Sequence, residues 1–169
     1  LLQAWGVNGP MFNTLLNTGL RFLWITLLVL ILDQWTKTAV VDSMQLYESI
    51  QVGPMFNLTY VHNYGAAFSF LHNAGGWQRW FFTAIALGVS VLLLYWLKQA
   101  PKDQLRLPIA FSFILGGALG NVYARLVTGY VIDFLDFYYQ QWHCPAVNIS
   151  DSAIYIGAYF VINDMSFGY

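Results

Sequence analysis

The chain has 169 residues, of which 58% are hydrophobic, 18% aromatic and only 9% charged, and its mean hydropathy is +0.54. An ordinary soluble domain carries roughly 25% charged residues, so this composition describes a membrane protein of single-domain length. The net charge of -1 leaves no cationic surplus for a nucleic-acid partner, the lone Cys144 rules out an internal disulfide, and no CxxC or Cys/His spacing points to a metal or other cofactor.

A hydrocarbon core roughly 30 Å thick asks for about 20 helical residues, and four runs approach that length. Residues 1–17 are polar and unpatterned; the run that follows, 20–41, is "LRFLWITLLVLILDQWTKTAVV". It lacks a small-residue cleavage site and is expected to be a retained span, not a removed leader. Within it Asp33 and Lys37 stand four apart with the acid on the N-terminal side, the better order for an ion pair on one helix face. A charge beside lipid is normally partnered, so the bland reading is a structural pair facing the bundle interior, and direct catalytic work is the minority one.

The connection 42–76 holds neither Lys nor Arg. In its "PMFNLTYVHNYGAAFSF", Phe56, Leu58 and Tyr60 alternate with Asn57 and Thr59, the period-2 signature of a strand with one apolar face, which predicts a small sheet or cradle. Gly65 marks a turn, and "HNAGG" marks another just before the second span, 77–97. The short link after that span carries Lys98, Lys102 and Arg106, whereas 128–147 is again free of Lys and Arg. The positive-inside rule therefore puts the short link in the cytoplasm, both longer connections outside, and both termini inside.

The third span, 107–127, has Gly116 and Gly120 in GxxxG spacing, a packing signature for a close neighbouring helix. One turn on, Asn121 and Arg125 share a face near the outer surface, where an arginine by itself reads as a snorkelling cation. Asp133 and Asp136 are expected in the loop that follows, where an acid is ordinarily just solvated. The fourth span, 148–164, is the least secure, because its uninterrupted apolar stretch covers only 153–162. Asn148 can cap this helix, and Asp151 three residues later meets the positive end of its dipole.

Acids at a membrane edge also raise a functional reading. Two carboxylates close together share one proton, so one serves as base and the other as acid, and the pair can direct water at a peptide carbonyl without a metal or a nucleophilic side chain. No GxSxG, HExxH or Ser/His/Asp grouping offers a competing hydrolase, and His62, His72 and His143 are scattered. A small proton-coupled transporter would place its acids at the midplane between repeated halves, and no repeat is present.

Five motifs together resemble one family: "DQWTK" (33–37), "NYGAAFS" (63–69), "GGALGN" (116–121) followed by Arg125, "VIDFLDF" (131–137) and "PAVNISDSA" (145–153). The chain resembles lipoprotein signal peptidase (signal peptidase II), the four-span bacterial aspartyl peptidases, from about residue 19 to 164. The resemblance implies a mainly α membrane protein, a four-transmembrane-helix bundle with a small extracytoplasmic β-cradle, in the inner membrane and without cofactor. It implies a catalytic pair at Asp133 and Asp151, with Asn63, Asn121, Arg125 and Asn148 lining the site and Asp33 and Lys37 as structural support; Asp136 matches no catalytic position. The implied partners are membrane lipids and the substrate, a prolipoprotein cut on the N-terminal side of its diacylglyceryl Cys; the oligomeric state is open in the sequence, a monomer being the expectation. The family's usual GNxxDR reads "GNVYAR" here, so Ala124 stands where an acid is customary, and Ser150 replaces a customary Ala. The first departure opens a second reading, an impaired homologue that binds lipoproteins without cutting them.

Overall fold

The structure, a computed structural model, describes residues 9–65 and 75–167, so His72, the 66–69 part of "NYGAAFS" and the first half of "HNAGG" lie outside the described residues. A short helix, α1 (Pro10–Asn17), starts on a proline at its first turn, where the missing N–H has no helical partner to lose. Thr18 then opens a 3-10 turn, Gly19–Phe22, by accepting the Leu20 N–H at 3.3 Å, and the turn runs into α2 (Leu23–Ser43). Helix α3 spans Trp77–Gln99 and α4 Arg106–Thr128. Gly129 ends α4 in the left-handed conformation (φ 86°), its N–H closing on the Arg125 carbonyl at 3.0 Å. The last helix, α5, covers Ile149–Phe167.

Among the described residues three helical segments are long and apolar enough to cross a membrane: Gly19–Ser43, Trp77–Gln99 and Arg106–Thr128. Helix α5 packs along α4 as the fourth long helix, but its Ser, Asp, Asn and Tyr content keeps it out of that set. Side chains such as Trp24, Leu27, Val91 and Tyr155 point outward, as lipid-facing positions do, and the interior is built on α4.

Helix α4 touches α2, α3 and α5, and its glycines explain how. A methyl group added at Gly116 would lie 2.8 Å from Val29 Cβ on α2; at Gly117, 2.2 Å from the Ser150 carbonyl oxygen on α5. Between helices in lipid there is little hydrophobic driving force, so this close backbone approach supplies the packing that holds them. Leu93, Leu97 and Leu115 fill the α3–α4 seam, and Ile25, Val29 and Ala153 the α2–α5 seam.

A four-stranded antiparallel sheet in the order β1-β2-β3-β4 covers one end of the helices: β1 (Ser49–Gly53), β2 (Phe56–Asn63), β3 (Val131–Tyr139) and β4 (Trp142–His143). The strand expected at residue 56 is β2. The loop expected around Asp133 and Asp136 is instead strand β3, whose β-branched and aromatic "VIDFLDFYY" suits a pleated surface, buried or half-buried over residues 131–136 and exposed at Phe137 and Tyr139. Val40, Tyr60 and Phe134 cluster between the sheet and α2. Along β2–β3, Leu58 pairs with Leu135 but Val61 with Asp133, so one extra β2 residue forms a bulge beside the acid.

Candidate active site

Asp133 is 2% exposed on β3, and Asn148 is fully buried at the N-cap of α5. Backbone pairing brings them together: the Phe134 and Leu135 N–H groups donate to the Val147 carbonyl at 3.0 and 2.9 Å, and the Val147 N–H returns a bond to Leu135 at 3.1 Å. Asn148 Nδ2 then donates to Asp133 Oδ1 at 2.8 Å. Asn63 on β2 donates to the other oxygen, Oδ2, at 3.0 Å. Its amide is oriented by a tight turn in which the Gly65 N–H donates to Asn63 Oδ1 at 2.8 Å, with Gly65 at φ +93° against the Phe82 ring, where a side chain has neither the backbone freedom nor the space.

Asp151 is held at the same residue. The Asp151 N–H donates to Asn148 Oδ1 at 2.9 Å and the Asn148 N–H donates to Asp151 Oδ2 at 3.2 Å, a reciprocal capping box. Asn121 on α4 donates to Asp151 Oδ1 at 2.8 Å, while its own Oδ1 accepts from Asn148 Nδ2 at 3.2 Å. One asparagine therefore joins both acids, and the capping role read from the sequence is part of the same network.

Beneath it, Lys37 Nζ lies 2.6 Å from Asp33 Oδ2 and 3.4 Å from Asn121 Oδ1, with Asp33 and Lys37 both buried. Asp33 Oδ1 accepts the Ser150 N–H at 3.0 Å, so the pair fastens α2 to the first turn of α5. Gly120 makes this possible, since a Cβ there would sit 2.1 Å from Ser150 Oγ and 2.8 Å from Asp33 Oδ2.

Arg125 extends over the Phe82 ring, its carbon 5.6 Å from the centroid, and among the described residues no carboxylate reaches it as an ion pair. Its buried Nε has no hydrogen-bond partner among the described residues. Ala124 is buried beside it and, with Lys37, Gln34 and Tyr123, lines a groove of about 240 Å³.

A second cavity of about 210 Å³ opens above Asp133, lined by His62, Asn63, Tyr64 and Pro145. Burial holds the His62 imidazole below its ordinary value; its Nε2 lies 2.9 Å from the Tyr60 hydroxyl, and the ring stacks on Tyr130 with centroids 3.8 Å apart. Burial first, and the Asp151 charge second, push the Asp133 carboxyl up to about 7, although the Asn63 and Asn148 bonds pull the other way. Two acids on one buried polar network, one of them held near neutrality, make a site able to move protons at neutral pH.

The family model described as Signal peptidase (SPase) II matches residues 25–167. The chain belongs to this family of proteases. It is 72% identical over 149 residues to a lipoprotein signal peptidase of Alteromonas mediterranea, covering 88% of this chain and 82% of that one. With a lipoprotein signal peptidase of Pseudoalteromonas atlantica it shares 54% over 155 residues, 92% of this chain and 94% of that one. A bacterial membrane enzyme solved by the in meso method superposes with a TM-score of 0.77 at 32% identity, over 88% of this chain and 94% of the solved one.

Family membership leaves Asp136 to be explained by its surroundings. The solvated loop acid expected from the sequence is 6% exposed, accepting Thr59 Oγ1 at 3.1 Å and lying 2.9 Å from His143 Nδ1. The difference comes from reading 128–147 as a loop: on strand β3, Asp136 is paired beside Asn57 of β2 and buried, where a carboxylate needs partners. Sequence reasoning also missed the Ser150 N–H as a ligand of Asp33 and the His62–Tyr130 stack; a strand-paired histidine next to Asn63 was the available signal for the latter.

Proposed function

We propose that Asp133 and Asp151 are the catalytic dyad of an aspartyl endopeptidase that removes the signal peptide of diacylglyceryl prolipoproteins on the N-terminal side of the lipidated Cys. The observation that carries this reading is the attachment of both carboxylates to Asn148, one at its side chain and the other at its capping box. The pair carries one proton between two acids. The ionised carboxylate takes a proton from water as the water oxygen bonds to the scissile carbonyl carbon, and the protonated partner gives its proton to the carbonyl oxygen. The tetrahedral diol then returns a proton to the carboxylate so formed, the other carboxyl protonates the amide nitrogen, and the C–N bond breaks. One proton again remains on the pair, ready for the next turnover.

Asn63, Asn121 and Asn148 orient the acids through the bonds described above, and Arg125, free of a carboxylate partner among the described residues, binds a substrate backbone carbonyl. Asp33 and Lys37 act through Asn121 and the first turn of α5 as a support. In this reading α5 is a fourth span, the chain is one monomeric domain of the bacterial inner membrane, and the sheet with the acid pair lies at the extracytoplasmic face with both termini inside, as the Lys/Arg distribution directs. The lipidated substrate then enters sideways from the bilayer.

Single-turnover cleavage of a synthetic diacylglyceryl prolipoprotein peptide tests the proposal. Asp133→Asn and Asp151→Asn should each lower the rate by at least about 10³-fold, and near-parental cutting by either rejects the dyad. The impaired-binder reading rests on Ala124 and predicts instead a parent that binds this peptide without turning it over.

A further inference from the structure

The end of the helices opposite the acid pair carries features that the proposed reaction does not use. None of the residues of α1 is buried. Met11, Phe12, Leu15 and Leu16 are all exposed and, at 100° per residue, fall in one arc, while Asn13, Thr14 and Asn17 fill the opposite one. So short a helix is positioned through its root. The Gly19 N–H donates to the Ala100 carbonyl at 3.2 Å, and a Cβ at Gly19 would lie 2.8 Å from the Leu97 oxygen, so this residue is clamped against the end of α3. Arg21 donates to the carbonyls of Lys102 and Gln104 in the α3–α4 link. A cavity of about 400 Å³ is left between α1 and α3, lined by Pro10, Met11, Thr14, Leu15, Leu20 and Lys98.

Charge is unevenly divided between the two ends. This end holds Arg21, Lys98, Lys102 and Arg106 against Asp103 and Asp164, whereas the rest of the chain holds three cations against six acids. Lys98, Lys102 and Arg106 are exposed, and among the described residues none makes an ion pair.

We infer that α1 and this basic rim bind an anionic phospholipid of the adjoining leaflet, an acyl chain lying in the α1–α3 cavity and the headgroup phosphate meeting Lys98 and Lys102. Two arguments select this occupant. Helix α1 leads through a single 3-10 turn into a membrane-crossing segment, so its apolar arc sits at the depth of the leaflet interface, where an amphipathic helix lies in plane. The unpaired cations beside it complement a net negative headgroup, and a lysine stem can follow the acyl region while its ammonium reaches the phosphate.

Native mass spectrometry of the whole protein released from nanodiscs of equal phosphatidylglycerol and phosphatidylcholine tests the inference. The parent should retain phosphatidylglycerol at least about fivefold over phosphatidylcholine, and Lys98→Gln with Lys102→Gln should bring the ratio near one. In a Cys144→Ser background, a fluorophore on Leu15→Cys should be quenched by brominated acyl chains far more than one on Asn13→Cys. Equal retention of the two lipids by the parent, a parental ratio in the double variant, or equal quenching at the two positions would overturn the site. A dimer in the same spectra that Leu15→Gln converts to monomer would assign the arc to a second copy and also overturn it. None of these readouts involves cleavage, so failure here and failure of the proposed reaction are distinguishable.

Discussion

Asn148 donates its side-chain N–H to Asp133 Oδ1 at 2.8 Å, and neither residue has meaningful contact with solvent. The same asparagine caps α5 through Asp151, so one side chain couples helix stability to the geometry of the acid pair. Replacing a capping Asn by Ala costs about 1 kcal/mol, and here it also strips a buried carboxyl of a donor. Asn148→Ala should lower the thermal midpoint and cut turnover by about 100-fold. Asn148→Ser should recover part of the midpoint by restoring a cap oxygen, yet not the turnover, because the shorter hydroxyl does not replace the amide donor that Asp133 now finds. Full turnover in the Ala variant would remove Asn148 from the catalytic account.

A second expectation concerns pH. With the Asp133 carboxyl raised to about 7, the pair loses its shared proton as the medium passes upward through that value, and cleavage should fall there. Stability runs the same way. The group's pKa is higher folded than unfolded, so the folded state binds more protons between about 4 and 7 and its stability declines as pH rises across that window. Thermal midpoints from pH 4 to 8 should show the decline, and Asp133→Asn should flatten it whatever constant offset the substitution introduces. A parental slope in that variant would assign the decline to other groups.

Gly120 and Ser150 are predicted to be energetically coupled. A Cβ at 120 would come within 2.1 Å of Ser150 Oγ, and that hydroxyl is buried without a partner among the described residues. Overpacking of this kind typically costs 1–3 kcal/mol. Gly120→Ala alone should be clearly destabilising, and Ser150→Ala should relieve a large part of the loss, leaving the clash with Asp33 Oδ2 as the remainder. Additive effects in a double-mutant cycle would show that the two side chains do not compete for this space.

The Ala124 departure should matter little to the chemistry. Its groove reaches Lys37, but that ammonium already has Asp33 at 2.6 Å and Asn121 at 3.4 Å, so the alanine does not leave Lys37 without a partner. Ala124→Asp should therefore change turnover of the lipidated peptide by less than about threefold. A gain of a hundredfold or more would favour the impaired-binder reading.

Much of the helical architecture was legible because a membrane span has a simple local cause, a long apolar run. Residues 77–97 and 107–127 lie within α3 and α4, and 20–41 lies within the segment Gly19–Ser43. The four-residue spacing of Asp33 and Lys37 put them on one face, where an ion pair is present. The "VIDFLDFYY" strand was harder to see: over its first six residues neither face is exposed and its exposed end carries Phe137 and Tyr139, so it lacks the hydrophobic-polar alternation that revealed β2. Helix α1 was missed because eight residues between unpatterned neighbours give periodicity too little length.

The sequence by itself determined the membrane class, the apolar spans, the division of charge between the two ends, and, through its ordered motifs, the family, since each of these depends on residue type and spacing along one stretch of chain. Only the tertiary structure decided that Asp133 and Asp151 meet at Asn148, that Asp136 is buried against His143, and that Gly120 clears room for Ser150 and Asp33. Those relations join a strand, a helix cap and two other helices far apart in the chain; the GxxxG spacing announces a close helix approach, but which strand pairs and which residue of which helix meets Gly120 is encoded in no local pattern.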